Sequence, residues 1–240
     1  MTPDEFRKHG HAVVDWIADY RARVAERPVM ATTAPGEIKA QLPQSPPEDP
    51  EPFERVLADL DGIVAPGLTH WQHPAFFGYF PCNGTLASVL GDYVSTGLGV
   101  LGLAWQSSPA LTEVEEVVTD WLRQMVGLSG QWQGVIQDTA STSTLIALIS
   151  ARERVTSYAM ARGGLQAAPH ALVVYTSAYS HSSVDKAALL AGFGRDNIRH
   201  VACDRDYALK ADALAAAMAE DRAGGRVPCA VVATRIAFGW

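Results

Sequence analysis

The sequence predicts an α/β domain with a largely parallel sheet, preceded by a helical arm. Two observations carry this expectation. From residue 134 onward, short β-branched runs alternate with stretches of helical periodicity, the pattern of parallel strands joined by crossover helices. Before residue 84, two amphipathic helices are joined by a proline-rich strap, which makes a poor core alone and needs the surface of another domain or subunit. With 240 residues, 48% of them hydrophobic, the chain can bury a substantial core as one or two domains. The expected division is an arm at 1–83 and an α/β domain at 84–240.

Thr2-Pro3-Asp4-Glu5 supplies an N-cap, a proline at the first helical position and acids in the first turn, and Phe6, Val13, Ile17 and Tyr20 follow at helical spacing. Seven of the fourteen prolines lie from Pro28 to Pro52, where fixed φ and missing N–H groups exclude helix and central strand alike. A second helix carries Phe53, Val56, Leu57, Leu60, Ile63 and Val64 on one face and is closed by Pro66-Gly67. The apolar stretch from Gly84 to Trp105 reads as one buried helix and a loop. Ser108-Pro109 then caps a long amphipathic helix with Leu111, Val114, Val118, Trp121, Leu122 and Met125, ended by Gly127. The α/β portion continues as a strand at 134–137, a helix at 142–158, a strand at 171–176, a helix at 183–191, a strand at 198–203, a helix at 210–223 and a strand at 229–234.

A net charge of -7 without a Lys/Arg cluster leaves no electrostatic footprint for nucleic acid or an anionic membrane. No apolar run is long enough to cross a bilayer and the first 26 residues are amphipathic, so a cytoplasmic protein is expected. Cys82, Cys203 and Cys229 are widely separated and read as buried free thiols, with no metal site.

Three stretches hold the residue types of chemistry. Gln137-Asp138-Thr139-Ala140-Ser141-Thr142-Ser143-Thr144 is a hydroxyl-rich turn before a helix, suited to a phosphate monoester because a helix N-terminus offers unpaired N–H groups and the positive end of its dipole. Taken alone it reads first as an ordinary capped helix. Tyr179-Ser180-His181-Ser182-Ser183 puts an imidazole just beyond a strand's carboxyl end, where it either meets a planar cofactor or substrate or merely neighbours a helix cap. The run from His70 to Pro81 is the densest aromatic stretch, equally suited to wall a pocket for a flat substrate or to pack the arm on the main domain.

In their order these blocks closely resemble the group II pyridoxal-phosphate decarboxylases, the aromatic-L-amino-acid decarboxylase family. The resemblance is carried by Glu5-Phe6-Arg7, Thr69-His70-Trp71-Gln72-His73-Pro74 with Tyr79-Phe80-Pro81, Ser108-Pro109-Ala110, Asp120-Trp121-Leu122, Gly134-Val135-Ile136-Gln137 with Thr139-Ala140-Ser141, and His181-Ser182-Ser183-Val184. It implies a fold-type-I, aminotransferase-like large domain, a helical arm embracing the second subunit of a homodimer, and decarboxylation of an aromatic L-amino acid to its amine. It further implies that Ala140 and Ser141 bind the phosphate of pyridoxal 5'-phosphate and that His181 stacks on its ring and takes part in catalysis. Trp71, Tyr79, Pro81, Cys82, Leu101 and Leu103 would fall at the substrate pocket, Cys82 where animal members carry threonine and Leu103 where they carry phenylalanine.

The family also requires a Schiff-base lysine and an acid facing the pyridine nitrogen, in motifs containing His-Lys and Asp-Ala-Ala that this sequence does not contain. Its lysines, Lys8, Lys39, Lys186 and Lys210, stand in other contexts. Pro228 to Thr234 matches a family strand that normally runs into Gly-Thr-Thr, whereas here Arg235-Ile236-Ala237-Phe238-Gly239-Trp240 follows. The expectation from the resemblance is therefore an N-terminal half with a partial sheet, of doubtful activity alone, poorly soluble or dependent on a partner chain, and acting, if not as an enzyme, as a dimerisation module.

Overall fold

A computed structural model of the chain describes residues 1–79 and 84–233. They divide into two compact units, Met1–Val100 and Leu101–Trp240. In the first, α1 (Pro3–Ala22) opens with a complete capping box: the Thr2 hydroxyl accepts the Glu5 N–H, and the Glu5 carboxylate accepts the Thr2 N–H at 2.7 Å. The strap holds one helical turn, α2 (Glu37–Gln41), started by Gly36 at φ +96°. The sequence reading excluded helix throughout the strap. A single turn forms because the interval from Gly36 to Leu42 has no proline, and Gly36 adopts the left-handed conformation that redirects the chain. Helix α3 (Phe53–Asp59) continues as a π turn at Leu60–Val64 and a 3₁₀ turn at Ala65–Gly67.

Aromatic and polar contacts hold this unit together. His9 packs on Phe53 at 4.5 Å between centroids, and Phe6 stacks on Tyr93 of α4 (Leu86–Leu98) at 5.9 Å. The Tyr20 hydroxyl lies 2.7 Å from Nδ1 of His70, which is 3% exposed. Burial, with the nearby charges of Arg27 and His73, holds the His70 imidazole below the usual histidine range, so it is a neutral internal anchor. Helix α4 differs from its sequence reading in one respect: Leu86, Leu90, Val94 and Leu98 are exposed rather than buried.

The second unit begins with α5 (Pro109–Met125). Its first residue is the proline expected at N1, but the Ser108 hydroxyl makes no capping bond; the Ser108 carbonyl instead accepts the Thr112 hydroxyl and N–H. Residues 134–137, read from sequence as a strand, pair with no strand among the described residues. They run extended along α5, where the Glu115 carboxylate accepts the Ile136 N–H at 2.7 Å and a side chain at Gly134 would collide with Thr119. Helix α6 (Ala140–Val155) follows.

Strand β1 (Leu172–Ser177), helix α7 (Ser183–Leu190), strand β2 (Ile198–Val201), helix α8 (Ala211–Ala223) and strand β3 (Val227–Val231) then form a parallel three-stranded sheet in the order β2-β1-β3. All six residues of β1 are buried. Leu172 and Val174 face Leu148 of α6, Ala187 and Ala188 of α7, and Phe193. Val173 and Tyr175 face the other way, towards Val201 and the inner side of α8 at Leu214, Ala217 and Met218. The two-residue period of the strand thus generates helix layers on both faces. Of the cysteines, Cys203 and Cys229 are free and half-buried, and burial pushes the Cys229 thiol up to about 11; Cys82 lies outside the described residues.

One polar cluster pins α8 to this sheet. Asp221, 1% exposed, accepts the Tyr175 hydroxyl at 2.8 Å and the Arg199 guanidinium at 2.5 Å, with Arg226 at 3.5 Å. The Arg199 hydrogen bond, aided by Tyr175 and Arg226, holds the carboxyl below the usual carboxylate range. Burial and the bond to Asp221 push Tyr175 up to about 12. Asp221→Asn is expected to cost roughly 2–4 kcal/mol in a urea unfolding titration, because Arg199 then keeps only the more distant and exposed Glu220 as a charged partner. The stabilisation from Asp221 should be complete above the ordinary carboxylate range and fade as pH falls through its lowered folded-state value, whereas that from Tyr175 should be complete below the ordinary tyrosine range and fade as pH rises towards about 12.

Candidate functional site

The carboxyl end of β1 delivers a short loop, residues 178–182, into α7. Its inner side is fixed by hydroxyls: Ser180 Oγ lies 2.5 Å from Thr176 Oγ1 and 3.3 Å from Ser177 Oγ, and Thr176 also donates to the Val232 carbonyl at the end of β3. His181, exposed in this loop, is held at one nitrogen. Its Nδ1 lies 2.8 Å from Ser183 Oγ and accepts the Ser183 N–H at 3.2 Å. An acceptor at Nδ1 places the proton of the neutral ring on Nε2, which is left to meet a ligand.

Helix α6 presents the second element. The Thr139 hydroxyl accepts the Thr142 N–H at 3.1 Å and the Thr139 carbonyl accepts that of Ser143 at 3.0 Å. The first two N–H groups of the helix, those of Ala140 and Ser141, precede any intrahelical partner and carry the positive end of the dipole. Helices α6 and α7 pack side by side, so that Ser141, Thr142, Leu145, Ser183, Lys186 and Ala187 line one cleft. The structure therefore brings Ser141 to the helix that His181 precedes. An anionic phosphate ester fits the start of α6, with its open N–H groups and neighbouring hydroxyls, while the cleft beyond it is largely apolar through Leu145, Ala187 and Leu190.

In the first unit, Trp71 stacks on Phe76 at 5.0 Å and on Tyr79 at 5.6 Å between centroids. Tyr79 is 84% exposed and has φ +54°, a conformation uncommon for a residue with a β-carbon. His70 and His73 support this segment from within the unit. His73 Nδ1 accepts the Ala75 N–H and its Nε2 lies 3.2 Å from the Ala25 carbonyl. Leu101 and Leu103 are exposed between α4 and α5 in the second unit. Pro81 and Cys82 lie outside the described residues.

Residues 35–236 match the model of the pyridoxal-dependent decarboxylase conserved domain. The chain belongs to the pyridoxal-dependent decarboxylase family. It is 39% identical to the aromatic-L-amino-acid decarboxylase of Bos taurus over 245 positions, and 38% identical to a phenylacetaldehyde synthase of Arabidopsis thaliana over 245 positions, in each case across 98% of this chain. The crystal structure of Oryza sativa TDC with pyridoxal phosphate and tryptamine superposes with a TM-score of 0.87 at 36% identity, covering 96% of this chain and 51% of that one. The chain spans about half the length of the curated relatives it matches, 50% of the bovine and 49% of the Arabidopsis protein. The parallel sheet with helices on both faces is accordingly part of a fold-type-I α/β domain, and the cofactor of the family is pyridoxal phosphate.

Two features of the site escaped the sequence reading. Ser183 orients the ring, and a hydroxyl two residues after a histidine at a helix start is the local signal for it. The ring contact between Tyr179 and Tyr207 joins residues 28 positions apart and had no local signal. The His181 geometry makes a spectroscopic prediction: in ¹⁵N-resolved imidazole spectra of the neutral ring, His181 should show the Nε2-protonated tautomer with Nδ1 as acceptor. Ser183→Ala should weaken that preference without abolishing it, since the backbone N–H remains.

Proposed function

We propose that the chain contributes to pyridoxal-phosphate-dependent decarboxylation of an aromatic L-amino acid, giving the amine and carbon dioxide. The observation that carries this reading is the cleft in which the open N-terminus of α6, with Ser141, meets the helix that His181 precedes, in a chain of this family. Ala140 and Ser141 hold the cofactor phosphate through N–H groups and the Ser141 hydroxyl. His181 lies against the cofactor ring with Nε2–H available to the reacting group. Trp71, Tyr79, Pro81, Cys82, Leu101 and Leu103 wall a pocket for the flat side chain, completed across a homodimer in which residues 1–83 form the embracing arm and 84–240 the cofactor-binding portion. Bound pyridoxal phosphate supplies the electron sink for loss of carbon dioxide. The proposed location is the cytoplasm; among the described residues no helix is long and apolar enough to cross a membrane.

Among the described lysines, Lys8 lies on α1, Lys39 on α2, Lys186 on α7 and Lys210 just before α8; Lys186 alone of these lines the cleft. The test is a fluorescence titration of the chain with pyridoxal phosphate, followed by borohydride reduction and peptide mapping. Saturable binding is expected, and Ser141→Glu, which sets a negative charge on the phosphate position, should weaken it at least about tenfold. Binding that is absent, or indifferent to that charge, would overturn the reading. An adduct mapped to one lysine would identify a cofactor-linking residue within these 240 positions.

A second role, association without catalysis, draws support from the apolar faces that α4 and α5 leave exposed. These include Leu90, Val94 and Leu98 on one helix and Val114, Trp121 and Met125 on the other. Sedimentation of the chain alone and mixed with a longer relative should show self-association or co-assembly; a monomer in both cases would remove this role.

A further inference from the structure

The loop that carries His181 has a support outside the hydroxyl cluster. The ring of Tyr179 meets the ring of Tyr207 edge-on, with centroids 4.9 Å apart and planes at 84°. Tyr207 belongs to the connection between β2 and α8, a tight hairpin closed by the Cys203–Leu209 bridge. Within it the Asp204 carboxylate accepts the N–H groups of Asp206 and Ala208, both at 2.9 Å, and the Asp204 N–H donates to the Ala208 carbonyl. This hairpin holds Tyr207 at φ +63°, a conformation that disfavours any residue with a β-carbon. A glycine or asparagine would meet the turn's demand at less cost, so the tyrosine ring is not explained by the turn.

Nor is it explained by the core. Tyr179 is 63% and Tyr207 61% exposed, so the pair removes little apolar surface from water. What the contact does accomplish is mechanical. Residues 178–182 are tied inward at Ser180 and forward at Ser183, and the Tyr179 ring reaches sideways to the hairpin. Edge-to-face geometry is directional, because the positive rim of one ring seeks the negative face of the other, and so it fixes an angle as well as a distance.

We infer that Tyr207 is a positioning residue, acting through Tyr179 to hold the His181 loop and thereby fix the imidazole that meets the cofactor. The inference rests on the proposed placement of His181 against that cofactor. It is tested with the full chain as wild type, Tyr207→Phe, Tyr207→Ala and Tyr179→Ala, reading His181 imidazole spectra, pyridoxal phosphate affinity and thermal midpoint. Both alanine variants should turn the single Nε2-protonated His181 signal into an exchange-broadened mixture and weaken cofactor binding up to about tenfold, ~1.4 kcal/mol, the upper range for an aromatic pair. Tyr207→Phe should retain both properties, and the thermal midpoint should move little. Should Tyr207→Ala fail to fold, Tyr207→Gly removes the ring while relieving the positive φ, and must give the same His181 exchange. His181 spectra unchanged in the ring-deleted variants would overturn the inference, as would a phenylalanine variant that behaves like alanine. Absence of cofactor binding in the wild type would overturn the functional reading instead, leaving the His181 spectra to decide the clamp.

Discussion

A strand buried on both faces cannot slip in register, because a shift of one residue would exchange the partners of every side chain along it. Strand β1 is under that constraint along all six residues. Its even-numbered side chains up to Val174 lock α6 and α7 on one face, and Val173 and Tyr175 lock α8 on the other. Tyr175 adds a polar tether, since its hydroxyl reaches Asp221, which also gathers Arg199 from β2 and Arg226 from the approach to β3. Burying that carboxylate is costly unless every lone pair finds a donor; here the sheet supplies them. The result is that α8 and three strands share one geometry.

The functional elements inherit their positions from this strand. Thr176 and Ser177 occupy its last two positions, fully or nearly buried, and project hydroxyls that fasten Ser180. His181 follows at the next residue and is caught by Ser183 at the start of α7, itself packed on β1 through Ala187 and Ala188. Helix α6 packs against α7, so its N-terminal turn with Ser141 is referred to the same strand. Reactive groups on a short loop gain precision when both ends of that loop are tied to a rigid core. The chain follows that rule with hydroxyls, whose small size lets them bond inside a turn that larger side chains would open.

Much of this was legible in the sequence, and what was not has a common physical cause. The N-cap at Thr2, the helix at Pro109 and the alternation that produced three parallel strands depend on neighbours within a few residues, so local pattern suffices. The extended segment at 134–137 has strand composition, but pairing requires another strand at hand, and α5 lies there instead. The exposure of α4 likewise depends on what packs against it, which periodicity does not encode. At the site, the Ser141 turn and the His181 motif were each ambiguous alone. The fold joins them through α6 and α7, whose adjacency is a tertiary fact. Nothing local marks Asp221 within the helix expected at 210–223; only the arrival of Tyr175, 46 residues earlier in the chain, makes it the centre of the domain's polar core.

The two anchoring modes of the proposed site differ in what they ask of the sequence. Phosphate recognition at a helix N-terminus uses backbone N–H groups, so it tolerates most side chains as long as the turn is small and capped; Thr139 and Ala140 meet that condition. Orientation of an imidazole, by contrast, needs a particular acceptor or donor at one ring nitrogen, and here it is Ser183. Substitution in the first region should act mainly through charge and bulk, and in the second through loss of a single hydrogen bond. Both anchors are built within the second unit, on α6, the 178–182 loop and the start of α7, and both are referred to the register of β1.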